Sequence, residues 1–269
     1  MLSFLSSLYS GVIFLAGEAA GQSSSGTSGD LWKKLGEDFW NNFVAEKRYL
    51  YLLKGLGITF RVTFFAALLG IFLGIVVALI RSSYDKLKEE MRPGFAKGLL
   101  GFFNLLTKFY LTIIRGTPVV VQLMIAYFII FAASSNKVLV AILAFGFNSG
   151  AYVAEIIRSG IMSIDNGQFE AGRSLGFGYI RTMIHIIIPQ AFKNVLPALA
   201  NEFIVLIKET SVSGYVGLQD LTKGGDIIRS RTYSAFMPLI AVALIYLVIV
   251  IFFSRMVTLL ERRLRNSDR

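Results

Sequence analysis

The sequence predicts an all-α, polytopic membrane protein, and three observations carry that prediction. Of its 269 residues 55% are hydrophobic and only 16% charged, with a mean hydropathy of +0.63, well beyond the composition of a water-soluble domain. The apolar residues fall into runs of about 20, the length a helix needs to cross roughly 30 Å of hydrocarbon. The charged residues punctuate those runs instead of mixing with them.

The first run, residues 55 to 80, is apolar apart from Arg61 and a few hydroxyls, and Arg81 closes it. Its Gly70 and Gly74 have the small-x-x-x-small spacing that lets helices approach closely. Ser82 to Lys97 carries Lys86, Lys88, Arg92 and Lys97 beside acidic residues, with Pro93-Gly94 as a breaker, and reads as a polar loop. A second span is expected from Tyr110 to Phe131 and a third from Val138 to Ile157. The short turn Ser134-Ser135-Asn136-Lys137 makes them antiparallel neighbours. A fourth span, Ile184 to Ile207, contains Pro189 and Pro197, which a membrane helix tolerates when neighbouring groups satisfy the freed carbonyls. The fifth, Phe236 to Phe253, leads into Arg255, Arg262, Arg263 and Arg265.

By the positive-inside rule this basic tail, with residues 263–269 at its end, is cytoplasmic. Counting back five spans puts 81–109 and 158–183 inside and the stretch before Lys54 outside. The outer segments 30–54 and 208–235 also hold Lys and Arg, so the bias is partial. Residues 1–20 are apolar but short and lack a basic start, and read either as a sixth span or as a processed signal segment. Residues 21–54 form a Ser/Gly-rich linker and an interfacial segment, in which Trp32 and Trp40 mark an amphipathic stretch at the outer surface.

Several function classes drop out. A nucleic-acid reader would gather its +10 formal charge on one soluble face. With no Cys and one His, His185, neither a thiolate nor a multi-histidine metal site can be built, and no catalytic constellation or cofactor motif is present. There is no phosphate loop of the Gly-x-x-x-x-Gly-Lys-Ser/Thr type, so any energy comes from a partner or a gradient. His185 reads as an interfacial residue, and Arg115 as a base that reaches the inner surface while Gly116-Thr117-Pro118 opens the next helix.

The segment 163–185 is the most informative. Gly167-Gln168-Phe169-Glu170-Ala171-Gly172-Arg173-Ser174-Leu175-Gly176 reads as a short polar helix ending at a Gly, with a second short helix leading to Ile186-Ile187-Ile188-Pro189. These residues resemble the EAA loop of the integral membrane permeases of ABC importers. That pattern is Glu-Ala-Ala, three residues, Gly, nine residues, then Ile-x-Leu-Pro. Here Gly172 replaces the second Ala, which should loosen the helix by up to about 1 kcal/mol, and Ile188 replaces Leu. Arg115-Gly116-Thr117-Pro118, the stretch Asn148 to Gly160, and Lys208-Glu209-Thr210-Ser211 stand in the order found in the polar amino-acid branch, over residues 50 to 262.

The resemblance implies a type I importer transmembrane domain of five core spans over 55–262, in the bacterial cytoplasmic membrane. It implies a dimer with itself or a related permease, an extracytoplasmic binding protein, and an ATPase dimer gripping Glu170, Ala171, Gly172 and Gly176. The rival reading is a gradient-driven secondary transporter, which would normally show internal repeats that are not evident here.

Ionisable groups at membrane depth are costly and are therefore candidate functional groups. Glu202 and Glu209 are seven residues apart, nearly two turns, and so share a helix face about 10 Å apart along the axis. With the amides of Asn148 and Asn201 they form the candidate substrate-binding set. Two carboxylates favour a cationic amino acid, but one can hold the ammonium that every amino acid carries. Structural pairing of either carboxylate with a neighbouring base stands beside that reading. Glu155 and Arg158, three apart, are expected to form a structural ion pair.

Overall fold

A computed structural model describes residues 28–88 and 91–266, with side chains for 32–88 and 91–264. The expectations for residues 1–20 and the end of the basic tail lie outside the described residues. Ten helices are described: α1 (Ser28–Phe39), α2 (Tyr49–Leu87), α3 (Phe95–Gly116), α4 (Val119–Ile125), α5 (Lys137–Met162), α6 (Asn166–Ser174), α7 (Tyr179–Thr182), α8 (Ile188–Glu209), α9 (Leu221–Thr232) and α10 (Phe236–Asn266). Wider π turns extend α4 to Ile130 and join α7 to α8 through Met183–Ile187, and a 3₁₀ turn carries α8 to Val216. Five of the resulting helices are long and apolar enough to cross a membrane.

α5 lies at the centre, packed chiefly on α2 and α8. Along α2, a Cβ added to Gly70 would lie 3.0 Å from Ser149, and one added to Gly74 would run into Val153. Both contact numbers rise together, so α2 and α5 run parallel, as the first and third of five crossings must. Without Cβ atoms at 70 and 74 the two backbones come into close contact, the packing role expected of these glycines. α8 runs the other way, with Val195 against Gly160 and Glu202 bonded to Ser149. Val62, Ala66, Leu123, Val140, Phe145 and Leu206 form the main buried cluster of the bundle. Much of the outward surface of α2, α3 and α10 is Phe, Leu, Ile and Val, including Phe72, Phe102, Leu105, Leu247 and Val248. Such a surface suits hydrocarbon and not water.

The second crossing departs from the expected 110–131 run. Helix begins at Phe95, within the segment expected as a loop, and stops at Gly116. Thr117 is extended (φ −124, ψ 146) and Pro118 starts the next helix. Proline offers no N–H and its ring disfavours helical backbone in the residue before it. The Gln122 amide restores the lost bonds, donating to the carbonyls of Ile114 (2.7 Å) and Thr117 (3.0 Å) and to the Thr117 hydroxyl (2.8 Å). The first span likewise exceeds the expected 55–80, because helix continues through the Tyr/Leu-rich 49–54 at one end and the polar residues 81–87 at the other.

α9 closes one end of the bundle. Asp220 caps it, accepting from the amides of Thr222 (3.0 Å) and Lys223 (3.1 Å), while Gly55 of α2 packs against the Asp220 backbone. Asn42 and Phe43 are buried, and Asn42 accepts from Thr232 at 2.8 Å, tethering the N-terminal segment to α9. Trp32 and Trp40 stay exposed.

Burial raises the Asp220 carboxyl to about 6, against the opposing pull of the amides it caps. The folded chain therefore holds this proton in a window where the unfolded chain has lost it. Stability falls as pH rises from about 4 to 6, and the ionisation cost is fully present above that. Asp226 lies lower than an ordinary carboxylate because of Lys223 and Arg229, so its contribution changes only at more acid pH. Amide-exchange protection of α9, corrected for intrinsic rates, should accordingly be greater at pH 5 than at pH 7. Asp220→Asn keeps the cap and should abolish the difference; an unchanged difference would remove Asp220 as its source.

Candidate functional site

Glu202 emerges part-way along α8, where an antiparallel crossing sets it beside α5. The Ser149 hydroxyl donates to it at 3.0 Å. With Ala198 and Asn194 one and two turns earlier, it lines a groove of about 460 Å³. The opposite wall holds Arg115, Tyr152, Glu155, Ser159 and Ser163. Glu209 is half-buried, and its Oε2 is buried without a hydrogen-bond partner. Among the described residues neither carboxylate is in a salt bridge. Asn148 is buried; its amide donates to Gln122 at 2.9 Å, while its Oδ1 has no partner. Asn201 is exposed, and the groove's lining does not include it. Of the four residues expected in the substrate set, Glu202 alone lines the groove; Asn148 faces Gln122 of α4, and neither Asn201 nor Glu209 is in the lining.

One rim of the groove is a charge network. Arg158 donates to Glu155 at 2.8 Å and lies 3.6 Å from Asp85 of α2; Arg115 lies 3.7 Å from Glu155 and packs its guanidinium over the Tyr152 ring. The i,i+3 pair was legible from spacing alone. Its partners on α2 and α3 were not, because nothing in the sequence aligns 85 and 115 with 155. Arg115 therefore pairs across helices instead of only reaching toward water.

The second feature is the α6–α7 knob at the other end of the bundle from α9. Asp165 caps α6 by accepting from Gly167 at 2.6 Å. The helix stops at Gly176, whose φ of +76 suits a residue without Cβ. Its amide bonds the Arg173 carbonyl (2.8 Å) and the Phe177 amide bonds Gly172 (3.0 Å), closing the helix end in a Schellman arrangement. Phe169 is buried with Ile161, Met183, Ile187 and Ala191, fixing the knob to the bundle. Lys86 of α2 donates to Asn166 at 2.8 Å and covers the Phe169 ring. Glu170, Ala171 and Gly176 face outward beside exposed Leu175, Ile180 and Ile184. Gly172 is buried, and a Cβ there would sit 2.6 Å from the Thr182 hydroxyl. The expected loosening by Gly172 therefore has a counterpart in packing: α7 occupies the space an alanine would need. His185 is exposed on the π turn, bonded to the Arg181 carbonyl at 3.0 Å.

The sequence and the fold are matched by known proteins. Residues 94–266 fit the family described as binding-protein-dependent transport system inner membrane component. The chain belongs to this family. Over 221 residues it is 38% identical to the arginine transport system permease protein ArtQ of Bacillus subtilis (strain 168), covering 81% of this chain and 94% of that one. It is 34% identical over 210 residues to the glutamine transport system permease protein GlnP of Escherichia coli (strain K12), covering 76% and 90%. A crystal structure of an amino acid ABC transporter with histidines superposes with a TM-score of 0.71 at 40% identity, covering 82% of this chain and 98% of that chain. The MetNI methionine ABC transporter, at 19% identity and a TM-score of 0.67 over 80% of this chain and 97% of that chain, shares the fold. As a member of the family, the chain is a membrane-spanning transport subunit.

Proposed function

We propose that this protein is the permease subunit of an ATP-driven importer for polar amino acids, coupled at Glu170, Ala171, Gly172 and Gly176 to a separate ATPase dimer. The observation that carries the reading is the α6–α7 knob, an exposed helix held on the bundle by a buried Phe169 and closed by a left-handed Gly176. A second permease copy completes the path, an extracytoplasmic binding protein delivers substrate at the α9 end, and the C-terminus is cytoplasmic. The names of the relatives, for arginine and glutamine transport, support an amino-acid cargo.

Glu202 is the group that meets the substrate ammonium, with Ser149 holding the carboxylate; Asn148, bonded to Gln122, is the further polar contact of the proposed set. Glu209, seven residues further along α8, is the second acidic contact, and Asn201 belongs to the expected set by sequence proximity. A half-buried carboxylate outside any salt bridge among the described residues suits a site for a cation.

The test begins with gentle detergent extraction of the tagged protein from its native membrane and mass spectrometry of what stays bound. Recovery of an ABC ATPase supports the importer. Recovery of the protein alone, still moving amino acids in liposomes under an ion gradient, would make it a secondary transporter. In the assembled complex, Glu202→Gln should reduce substrate stimulation of ATP hydrolysis by about ten-fold, the scale of one charge-assisted hydrogen bond, with assembly intact. An unchanged substrate response would make Glu202 structural.

A further inference from the structure

The helix α1 is amphipathic. Trp32, Leu35 and Phe39 fall within about 60° of one another around the axis, and Lys33, Lys34, Glu37 and Asp38 take the other side. The apolar side leads into the protein: the Phe39 ring meets the Phe43 ring at 5.2 Å, and Phe43 is buried with Leu221 and Ile228 of α9 and Val242 of α10. Elsewhere the segment is bare, with Trp32 73%, Trp40 61% and Phe39 54% exposed.

Three large aromatic side chains suit a partly apolar surrounding, and their neighbours identify it. Tyr49 at the start of α2, and Tyr233 and Phe236 leading into α10, are exposed at the same end of the bundle. The lipid-facing surfaces of α2 and α10 begin there. Aromatic residues at the level where apolar helix gives way to polar chain characterise a membrane–water interface. The bare side of α1 therefore continues a surface that lipid already covers. Its two lysines are offset by Glu37 and Asp38, so aromatic insertion, and not attraction to anionic lipid, supplies the hold.

Residues 42–51 tie this helix to α9. Asn42, 2% exposed, accepts from Thr232 at 2.8 Å. Arg48 donates to the Asn41 carbonyl at 2.6 Å and lies 3.2 Å from Glu46, whose other oxygen is 3.9 Å from Arg231 of α9. The Arg231 guanidinium covers the Tyr51 ring. Glu46 and Lys47 both sit in the left-handed region, at φ 52 and 53. That conformation is costly for residues with a Cβ and persists where the surroundings enforce it. α1 thus meets the bundle through a fixed corner and not a free tether.

We propose that residues 28–48 form a membrane-held brace for α9. α1 lies along the bilayer surface on the α9 side, with Trp32, Phe39 and Trp40 among the lipid headgroups, and the corner at Asn42–Arg48 passes that hold to the last turn of α9. The proposal is independent of the importer reading and of the cargo.

The experiment reconstitutes the full chain in vesicles of phosphatidylcholine and phosphatidylglycerol. Trp32 and Trp40 are its two tryptophans, so indole emission reports this segment alone. Lipids brominated near the headgroup end of the acyl chain should quench it at least about two-fold more than lipids brominated near the chain terminus. Iodide on both sides of the bilayer should quench weakly. Strong quenching by iodide with none by brominated lipid would place the helix in water. Protection from both quenchers would place it against protein, such as a second copy. Either result overturns the proposal. The brace is read by amide exchange at residues 228–232. Trp32→Ser with Trp40→Ser removes two anchors without touching Asn42 or Phe43, and should raise that exchange at least about five-fold. Asn42→Ala should raise it likewise while leaving tryptophan quenching by lipid unchanged. Exchange unaffected by both variants overturns the coupling of α1 to α9.

Discussion

Gly172→Val should leave the permease in the membrane and cost it the ATPase. The added branched side chain must occupy space where Thr182 atoms already lie 2.6 Å from the Cβ position. α7 is continuous with α8 through a helical turn and has little freedom to retreat, so α6 must swing away. Overpacking at a buried contact typically costs about 1–3 kcal/mol. Here the cost falls on a nine-residue helix held mainly by Phe169. The expected result is at least a ten-fold loss of co-purified ATPase, with unchanged thermal stability of the transmembrane bundle. Thr182→Ala in the Gly172→Val background should restore part of the association by vacating the space. A doubly substituted protein no better than the single variant would show that the contact is not what fails.

Gly74→Val is expected to have the larger effect on the fold. Even the first carbon of the new side chain collides with Val153 and lies 3.0 Å from the Ala154 amide nitrogen, which is backbone and cannot rotate aside. α2 and α5 would separate along their length, exposing Ala66, Ala144 and Ala151 at their seam. A loss of several kcal/mol is anticipated, on the scale of core overpacking together with lost contacts. The midpoint of thermal unfolding in detergent should drop by well over the change expected for Gly57→Ala, where nothing lies within 4 Å of the added Cβ. Equal behaviour of the two variants would contradict the parallel packing of α2 on α5.

Most of the bundle was legible because membrane solvation imposes a simple rule on sequence: long apolar runs become helices. The positions of α5, α8 and α10 follow from it, and the Gly70 and Gly74 seam follows from spacing. The second crossing was misjudged because α3 is amphipathic. Lys97, Asn104 and Lys108 made its first half look like a loop, although Phe102, Leu105 and Phe109 already marked an apolar face. Pro118 signalled a break, but only the structure reveals Gln122 bridging it, the one amide in an otherwise apolar stretch.

The candidate site was legible in outline for a related reason. An ionisable residue inside an apolar run stands out, so Glu202 and Glu209 could be singled out from spacing. Ser149 and the Arg115–Glu155 contact could not, because they depend on the relative rotation of three helices. Asn201 illustrates the limit from the other side: adjacent in sequence to Glu202, it is turned about 100° around the helix axis and lies exposed.

At 39 residues α2 is a rod about 58 Å long. Gly55 near one end packs on the Asp220 backbone that starts α9, and Lys86 near the other bonds Asn166 of α6. A stiff member fixed at both extremities makes their positions interdependent. Whatever free energy a ligand on the α9 side gains by favouring one placement of this rod must appear, with the same sign and size, in the affinity of the opposite end for its own partner.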